Sequence, residues 1–222
     1  MSPKSYQTRY RGCHFRSRLE ARWAVFFDTL DVPWEYEPKD FNLGDLGRYL
    51  PDFRLPWQEF WVEVKGAAPS VEEASKAQAL ANQTGESVMI FEGSQFEPPR
   101  FDPAAPQGQG IRGTVFWRFY PEAEEASAWT GTQWHECPIC GHVFLGDYND
   151  YHRCESEIRR AVFDTLENLK TIKGPLVHLV ELLGRTYDNK ALYPQPNTPR
   201  ILEAYEKARE SRFEFGESGP SG

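Results

Sequence analysis

The sequence predicts an α/β protein whose helices and strands follow the order α-β-β-β-α-β, with one further strand after them. Three observations predict this class. Apolar residues recur at helical spacing between residues 15 and 30. Short runs rich in aromatic and β-branched residues follow and are typical of strands. A second helix with its own start signal then begins at Ser70, and two more strand-like runs follow it.

The first helix is predicted over residues 15–30, "FRSRLEARWAVFFDTL", and Pro33 ends it. One face of this helix carries Leu19, Trp23, Phe26, Phe27 and Leu30. Such an apolar stripe indicates a helix that packs on a core.

Three strands are predicted next, over residues 34–37, 48–55 and 59–65, and glycines and prolines separate them. "SVEE" then forms a capping box, with Ser70 as the N-cap and Glu73 three residues later. Further strands are expected at 87–93 and 113–120, with a loop over 94–112.

The remainder of the chain differs in character, and we predict three parts. Residues 1–120 form the α/β domain, 121–155 a linker with a cysteine-rich module, and 156–222 a helical region with a disordered end. Helices are predicted at about 156–173, 175–183 and 199–213. The apolar stripe of the last helix could dock on the body of the protein or on another chain.

The composition is that of a globular protein without membrane spans. No run of about 18 apolar residues occurs, and the N-terminus lacks the apolar stretch of a secretory signal. We therefore expect a cytoplasmic protein. The formal net charge of −8 argues against nucleic acid as a partner, but the first 22 residues hold six basic residues against one acid. Such an arm can bind phosphates, or it is simply solvated. The arginines expected to contact nucleic acid are Arg9, Arg11, Arg16 and Arg18.

Two acids and a lysine stand in strands that otherwise consist of apolar residues. Glu63 and Lys65 point to the same face of their strand because side chains alternate. A short connection would bring Asp52 beside Glu63, and two such carboxylates repel each other unless a cation lies between them. Mg²⁺ suits this pair because it takes one or two carboxylates together with phosphate oxygens. Lys65 could orient or deprotonate a water, or stabilise developing charge.

Glu20 is a candidate third acid because it borders the apolar stripe of the first helix. Each residue also has a purely structural interpretation. Glu20 could form a capping box with Ser17, Asp52 could cap a turn, and Glu63 with Lys65 could be an exposed ion pair.

This combination, with "YLPDFRLP" followed by "FWVEVKG", resembles the PD-(D/E)xK nuclease superfamily, which has the restriction-endonuclease-like fold. The resemblance covers about residues 8–120, and this stretch looks like small phage and bacterial members related to transposon endonucleases and junction-resolving enzymes. It implies a mixed sheet flanked by helices, and a site that binds Mg²⁺ or Mn²⁺. The residues that would form this site are Glu20, Asp52, Glu63, Lys65 and the carbonyl of Val64. A further helical residue is sometimes recruited, here Lys76 or Gln78.

Four potential zinc ligands lie in "CPICGHVFLGDYNDYHRC": Cys137, Cys140, His152 and Cys154. The Cys-Pro-x-Cys-Gly turn aims two sulfurs at one point, and four protein ligands make a closed, structural zinc site. His142 or His135 could replace His152 as the histidine ligand. Buried thiols with unrelated histidines are the alternative.

Two functions are compatible with these features. The first is a metal-dependent endonuclease that hydrolyses DNA, implied by the resemblance to act on phage or mobile-element DNA, alone, as a homodimer or in a larger DNA-processing complex. The second is a non-catalytic DNA- or protein-binding protein that uses the zinc module on a nuclease-like scaffold.

Overall fold

A computed structural model describes residues 8–101, 111–123, 127–128, 132–138, 140–146 and 195–213. It confirms the α/β class. The helices of these ranges are α1 (Arg18–Thr29), α2 (Val71–Thr84) and α3 (Pro199–Glu210). The strands are β1 (Thr8–Tyr10), β2 (Cys13–Phe15), β3 (Glu35–Tyr36), β4 (Phe41–Asn42), β5 (Arg48–Tyr49), β6 (Phe53–Leu55), β7 (Phe60–Lys65), β8 (Ser87–Glu92), β9 (Arg100–Phe101), β10 (Ile111–Arg112), β11 (Val115–Phe119), β12 (Ser127–Ala128), β13 (Gln133–Glu136), β14 (Val143–Gly146) and β15 (Gln195–Pro196).

The central sheet has six strands in the order β12-β11-β8-β7-β6-β3. Strands β7 and β8 run parallel, and α2 connects them as a crossover. The other neighbouring pairs are antiparallel, so the sheet is mixed. In the β6–β7 register Phe53 pairs with Val62, which places Asp52 opposite Glu63 at the end of the hairpin.

Helices cover both faces of the sheet, and the side chains of β7 point alternately to one face and to the other. Val62 and Val64 belong to the core cluster that includes the buried residues of α1. Trp61 belongs to the second cluster, which includes Leu80 of α2. With a period of two, Glu63 and Lys65 share the face of Trp61 and therefore lie toward α2.

The last helix docks on the body of the protein, which is one of the two alternatives that its apolar stripe allowed. Its residues Ile201, Ala204, Tyr205 and Ala208 are buried in the cluster that contains α1. The ring of Tyr205 lies 4.6 Å from that of Phe26, measured between centroids. The described parts of the later segments thus share one core with the α/β domain.

Several boundaries differ from those that the sequence predicts. Helix α1 begins at Arg18, since the Ser17 side chain accepts a hydrogen bond from the Glu20 amide and caps the helix there. The expected loop over 94–112 contains the β9–β10 pair. A hairpin, β13–β14, occupies the cysteine-rich segment. The helices predicted at 156–173 and 175–183 lie outside the described residues. None of the helices in the described part of the chain combines the length and apolar character needed to cross a bilayer.

Candidate metal centre

Asp52 is almost fully buried at the start of β6, with 2% of its surface exposed. Its Oδ2 atom accepts a hydrogen bond of 2.7 Å from the backbone amide of Val64 on β7. Its Oδ1 atom lies 2.7 Å from Nη2 of Arg16. Burial raises the pKa of Asp52 well above its usual value, and the nearby negative charges of Glu63 and Glu20 raise it further.

Glu63, on β7, lies next to Asp52 and is also buried, with 8% of its surface exposed. One carboxylate oxygen, Oε1, pairs with Lys65 at 2.9 Å. The other, Oε2, is buried and has no hydrogen-bond partner among the described residues. Burial raises the pKa of Glu63, although the positive charge of Lys65 and the nearby Tyr49 hydroxyl act in the opposite direction. An unpartnered buried carboxylate oxygen is costly unless a cation satisfies it.

Lys65 lies on the same face as Glu63, as the alternation of side chains predicts. Its Nζ atom bridges Glu63 and Oε1 of Glu73, at 2.9 and 2.8 Å. Burial on its own would lower the pKa of Lys65, but the two carboxylates outweigh burial and raise it. The lysine is therefore a fixed positive charge beside the two acids.

Glu73 comes from the first turn of α2, where it also completes the predicted capping box with Ser70. Partial burial alone would raise its pKa. Hydrogen bonds from Lys65 and from the amide and hydroxyl of Ser70 prevail and lower that pKa to about 2. The capping box therefore holds an ionised carboxylate against Lys65.

Glu20 is buried on α1, close enough for its charge to raise the pKa of Asp52. Its Oε2 accepts hydrogen bonds from Tyr36 Oη at 2.7 Å and from the Arg16 amide at 3.0 Å. Its Oε1 accepts one from Ser17 Oγ at 2.7 Å. Ser17 caps the helix by accepting from the Glu20 amide, but the Glu20 carboxylate accepts from the Arg16 amide rather than completing a capping box with the Ser17 amide. A role for Glu20 in the metal site stays a prediction.

Glu63, Lys65 and Glu73 open onto a cleft of about 600 Å³ between the sheet and α2, while Asp52 and Glu20 lie behind its lining. Its lining is Arg16, Asp40, Arg48, Tyr49, Leu50, Glu63, Lys65, Ser70, Glu72, Glu73 and Lys76. Of the two further helical candidates, Lys76 lines the cleft. Gln78 instead donates hydrogen bonds to Asn82 and to the Tyr120 carbonyl. The cleft mixes both signs of charge, which suits a cation together with an anionic ligand.

The residues present fit a hard divalent cation bound by two carboxylates. Asp52 and Glu63 are adjacent, burial raises the pKa of both carboxyl groups, and Glu63 Oε2 lacks a hydrogen-bond partner among the described residues. Across the described ranges, no three His, Cys, Asp or Glu side chains form a group that could hold one ion. The remaining ligands would be waters or phosphate oxygens, as Mg²⁺ commonly requires. Val64 contributes its amide to Asp52, and a role for its carbonyl stays a prediction.

The zinc prediction is only partly within the described residues, because His152 and Cys154 lie outside them. Cys137 is buried and Cys140 is exposed. The Gly141 amide donates to the Cys137 carbonyl at 2.8 Å, which forms the expected tight turn. His135 is buried with Nδ1 2.9 Å from the Gln133 carbonyl, and the ring of His142 stacks on Trp57.

The N-terminal arginines mostly contact the protein itself. Arg9 hydrogen-bonds His14 across the β1–β2 hairpin, and Arg11 pairs with Asp28 at 3.0 Å. Arg16, expected to bind nucleic acid, reaches into the acidic pair instead. Arg18 lines a different cleft. A role of these arginines in nucleic-acid binding stays a prediction.

Four side chains of the site had no such role in the sequence-based prediction: Arg16, Tyr36, Tyr49 and Glu73. Their contacts join separate elements, whereas the sequence reveals only local patterns. Tyr36 is the residue that the sequence could most easily have revealed, because its strand pairs with β6 and that register places it next to Phe53.

No protein-family model matches the chain, and comparisons with curated proteins and with solved structures likewise found no match.

Proposed function

We propose that the protein is a divalent-metal-dependent deoxyribonuclease that hydrolyses phosphodiester bonds. The observation that carries this proposal is the pairing of two buried carboxylates, Asp52 and Glu63, at the edge of an open cleft, with one oxygen of Glu63 left without a hydrogen-bond partner in the described part of the chain. The resemblance of "PD…EVK" to the PD-(D/E)xK nucleases supports the choice of DNA as substrate.

Asp52 and Glu63 would hold the cation, and the Val64 amide fixes the orientation of Asp52. Mg²⁺ or Mn²⁺, when bound there, would supply positive charge to the phosphate and acidify a water. Glu20 would not contact the cation directly, because hydrogen bonds from Tyr36 and Ser17 occupy its carboxylate.

Lys65 would stabilise negative charge that develops on the phosphate. Its two carboxylate partners favour its protonated form, so it suits charge stabilisation better than proton removal. Its position two residues beyond Glu63 puts its ammonium group on the cleft side of the strand.

A non-catalytic binding protein is the second candidate, and one observation favours it. Arg16 pairs with Asp52 and so supplies a positive charge where a cation would bind. A scaffold that has no metal would keep this arrangement permanently, whereas a nuclease would exchange Arg16 for the ion.

The test is cleavage of supercoiled, linear, single-stranded and branched DNA in Mg²⁺, Mn²⁺ or EDTA. We expect cleavage with metal and none in EDTA. Asp52→Asn and Glu63→Gln should each abolish cleavage, and Lys65→Ala should lose most of the rate. Removal of one such charge-stabilising group typically costs about 100- to 1,000-fold.

Glu86→Gln is the matched control, because Glu86, directly before β8, pairs with Arg54 at 2.6 Å but does not line the cleft. It should cut at the wild-type rate. Absence of cleavage on every substrate would favour the binding-protein alternative. Wild-type rates in Asp52→Asn would overturn the assignment of the site.

A further inference from the structure

A second cleft, of about 510 Å³, lies between the start of α1 and the end of α3. Its lining is Arg18, Arg22, Arg209, Glu210, Ser211, Arg212 and Phe213. Four arginines face one glutamate, so this cleft is strongly positive on a chain whose formal net charge is −8. No lining residue is shared with the candidate metal centre.

Helix geometry explains why the two sites are separate. Arg18 and Arg22 are four residues apart and share a face of α1. Glu20 is two residues from each, about 200° around the helix axis at 3.6 residues per turn. The same helix therefore presents Glu20 to the acidic pair and its arginines to the opposite side.

Few acids of the described chain neutralise this cluster. Arg22 and Arg212 have no hydrogen-bond or ion-pair partner among the described residues, and the Nε atom of Arg22 is buried without one. Arg209 reaches only Glu97, at 3.9 Å. Burial lowers the pKa of Arg22, and the positive charge of Arg18 lowers it further. Like charges held together in this way are destabilising unless an anion joins them.

We propose that this cleft binds a phosphate group of the DNA backbone, at a position away from the candidate metal centre. The inference rests on the proposed function for the choice of DNA as ligand. Guanidinium groups bind phosphate oxygens through paired N–H donors, and the cleft offers several such groups from two helices. Buried Phe213 and the hydrogen-bonded Ser211 fix the end of α3, so the arginines on that side project from an ordered support.

The experiment measures binding of a fluorescent DNA duplex by anisotropy in EDTA, at a series of salt concentrations. Each phosphate contact contributes about 0.9 to the slope of log affinity against log salt. Arg22→Gln with Arg212→Gln should weaken binding about tenfold for unrelated sequences alike and lower the slope by about 1. Arg22→Lys with Arg212→Lys should retain most of the slope, because both substitutions keep the charge.

The matched control is Arg100→Gln with Arg112→Gln, which removes two exposed arginines that face each other on β9 and β10. It should keep the wild-type slope. A second arm measures the thermal stabilisation of wild-type protein by inorganic phosphate at constant ionic strength. Stabilisation by phosphate with an unchanged DNA slope in the glutamine variant would show a site for a free anion and overturn the proposal.

Equal slopes for the glutamine variant, the control and the wild type would also overturn it. The nuclease proposal is tested separately, because binding is measured in EDTA, where no cleavage occurs. If DNA binds through the cleft but no metal supports cleavage, the proposed catalysis fails and the phosphate site stands.

Discussion

The Nη2 atom of Arg16 lies 2.7 Å from the Oδ1 atom of Asp52, and Nε of the same guanidinium lies 2.6 Å from Glu37. Arg16 is 54% exposed while Asp52 is 3% exposed, measured on the side chains. The guanidinium thus reaches from the surface to a buried carboxylate that would otherwise face Glu63 and Glu20 without a positive partner. In the proposed nuclease, Arg16 and the cation compete for Asp52.

This competition predicts that Arg16→Gln binds Mg²⁺ more tightly. The concentration of Mg²⁺ that gives half of the maximal thermal stabilisation should fall roughly fivefold, the equivalent of about 1 kcal/mol for a partly exposed ion pair. Arg54→Gln is the control, because its partner Glu86 lies outside the cleft. An unchanged Mg²⁺ midpoint in Arg16→Gln would show that Arg16 and the ion do not compete.

The buried acids predict an unusual pH dependence of stability in EDTA. The folded-state pKa of Asp52 and that of Glu63 are raised, so these groups contribute stability that is present below their unfolded values, about 4, and lost as the pH rises through the folded values. We expect Asp52→Asn to be at least as stable as wild type at pH 7 and to flatten this loss. Urea unfolding between pH 5 and 8 measures it. A clear destabilisation of Asp52→Asn at pH 7 would contradict the raised pKa.

Glu73 is predicted to position Lys65 for the reaction. Glu73→Gln should lower kcat about tenfold or more, with little change in DNA affinity in EDTA, because glutamine can still complete the capping box but leaves Lys65 with one carboxylate. Ser70→Ala provides the control, since it removes the cap and about 1 kcal/mol of stability without altering the Lys65 contact. Equal rates for Glu73→Gln and Ser70→Ala would reduce Glu73 to a helix cap.

The lowered pKa of Glu73 predicts a pH dependence of stability opposite in sign to that of Asp52 and Glu63. Its folded value of about 2 is below the unfolded value of about 4.3, so its stabilising contribution is present above that value and lost as the pH falls toward 2. Wild type should therefore lose more stability than Glu73→Gln between pH 5 and pH 2.5. Parallel unfolding curves for the two proteins over this range would argue against the ionised contact with Lys65.

The cysteine-rich segment is predicted to hold about one zinc per chain, bound by Cys137, Cys140, Cys154 and one histidine. Elemental analysis measures the metal. Cys140→Ser should lose zinc and unfold at lower temperature, because metal binding there contributes to folding. Metal-free protein of full stability would contradict a zinc site. Cys13→Ser is the control, because Cys13 lies outside this segment.

Much of the fold and part of the site follow from local sequence patterns. Strand alternation predicts that Glu63 and Lys65 share a face, and a short β6–β7 connection predicts that Asp52 lies beside Glu63. The capping box of Ser70 and Glu73 is confirmed as well. The contact of Glu73 with Lys65 could not be predicted, because it depends on how α2 packs on the sheet. The β13–β14 hairpin was missed because its cysteines and histidines suggested metal ligands before strands.

The site as a whole depends on whether Asp52 and Glu63 share a divalent cation. The most direct measurement is an anomalous difference map from crystals of the protein soaked in Mn²⁺. We predict one strong peak about 2 Å from oxygens of both Asp52 and Glu63, with the Arg16 guanidinium moved away from Asp52. A map without a peak there, with Arg16 still bound to Asp52 at saturating Mn²⁺, would contradict the metal centre.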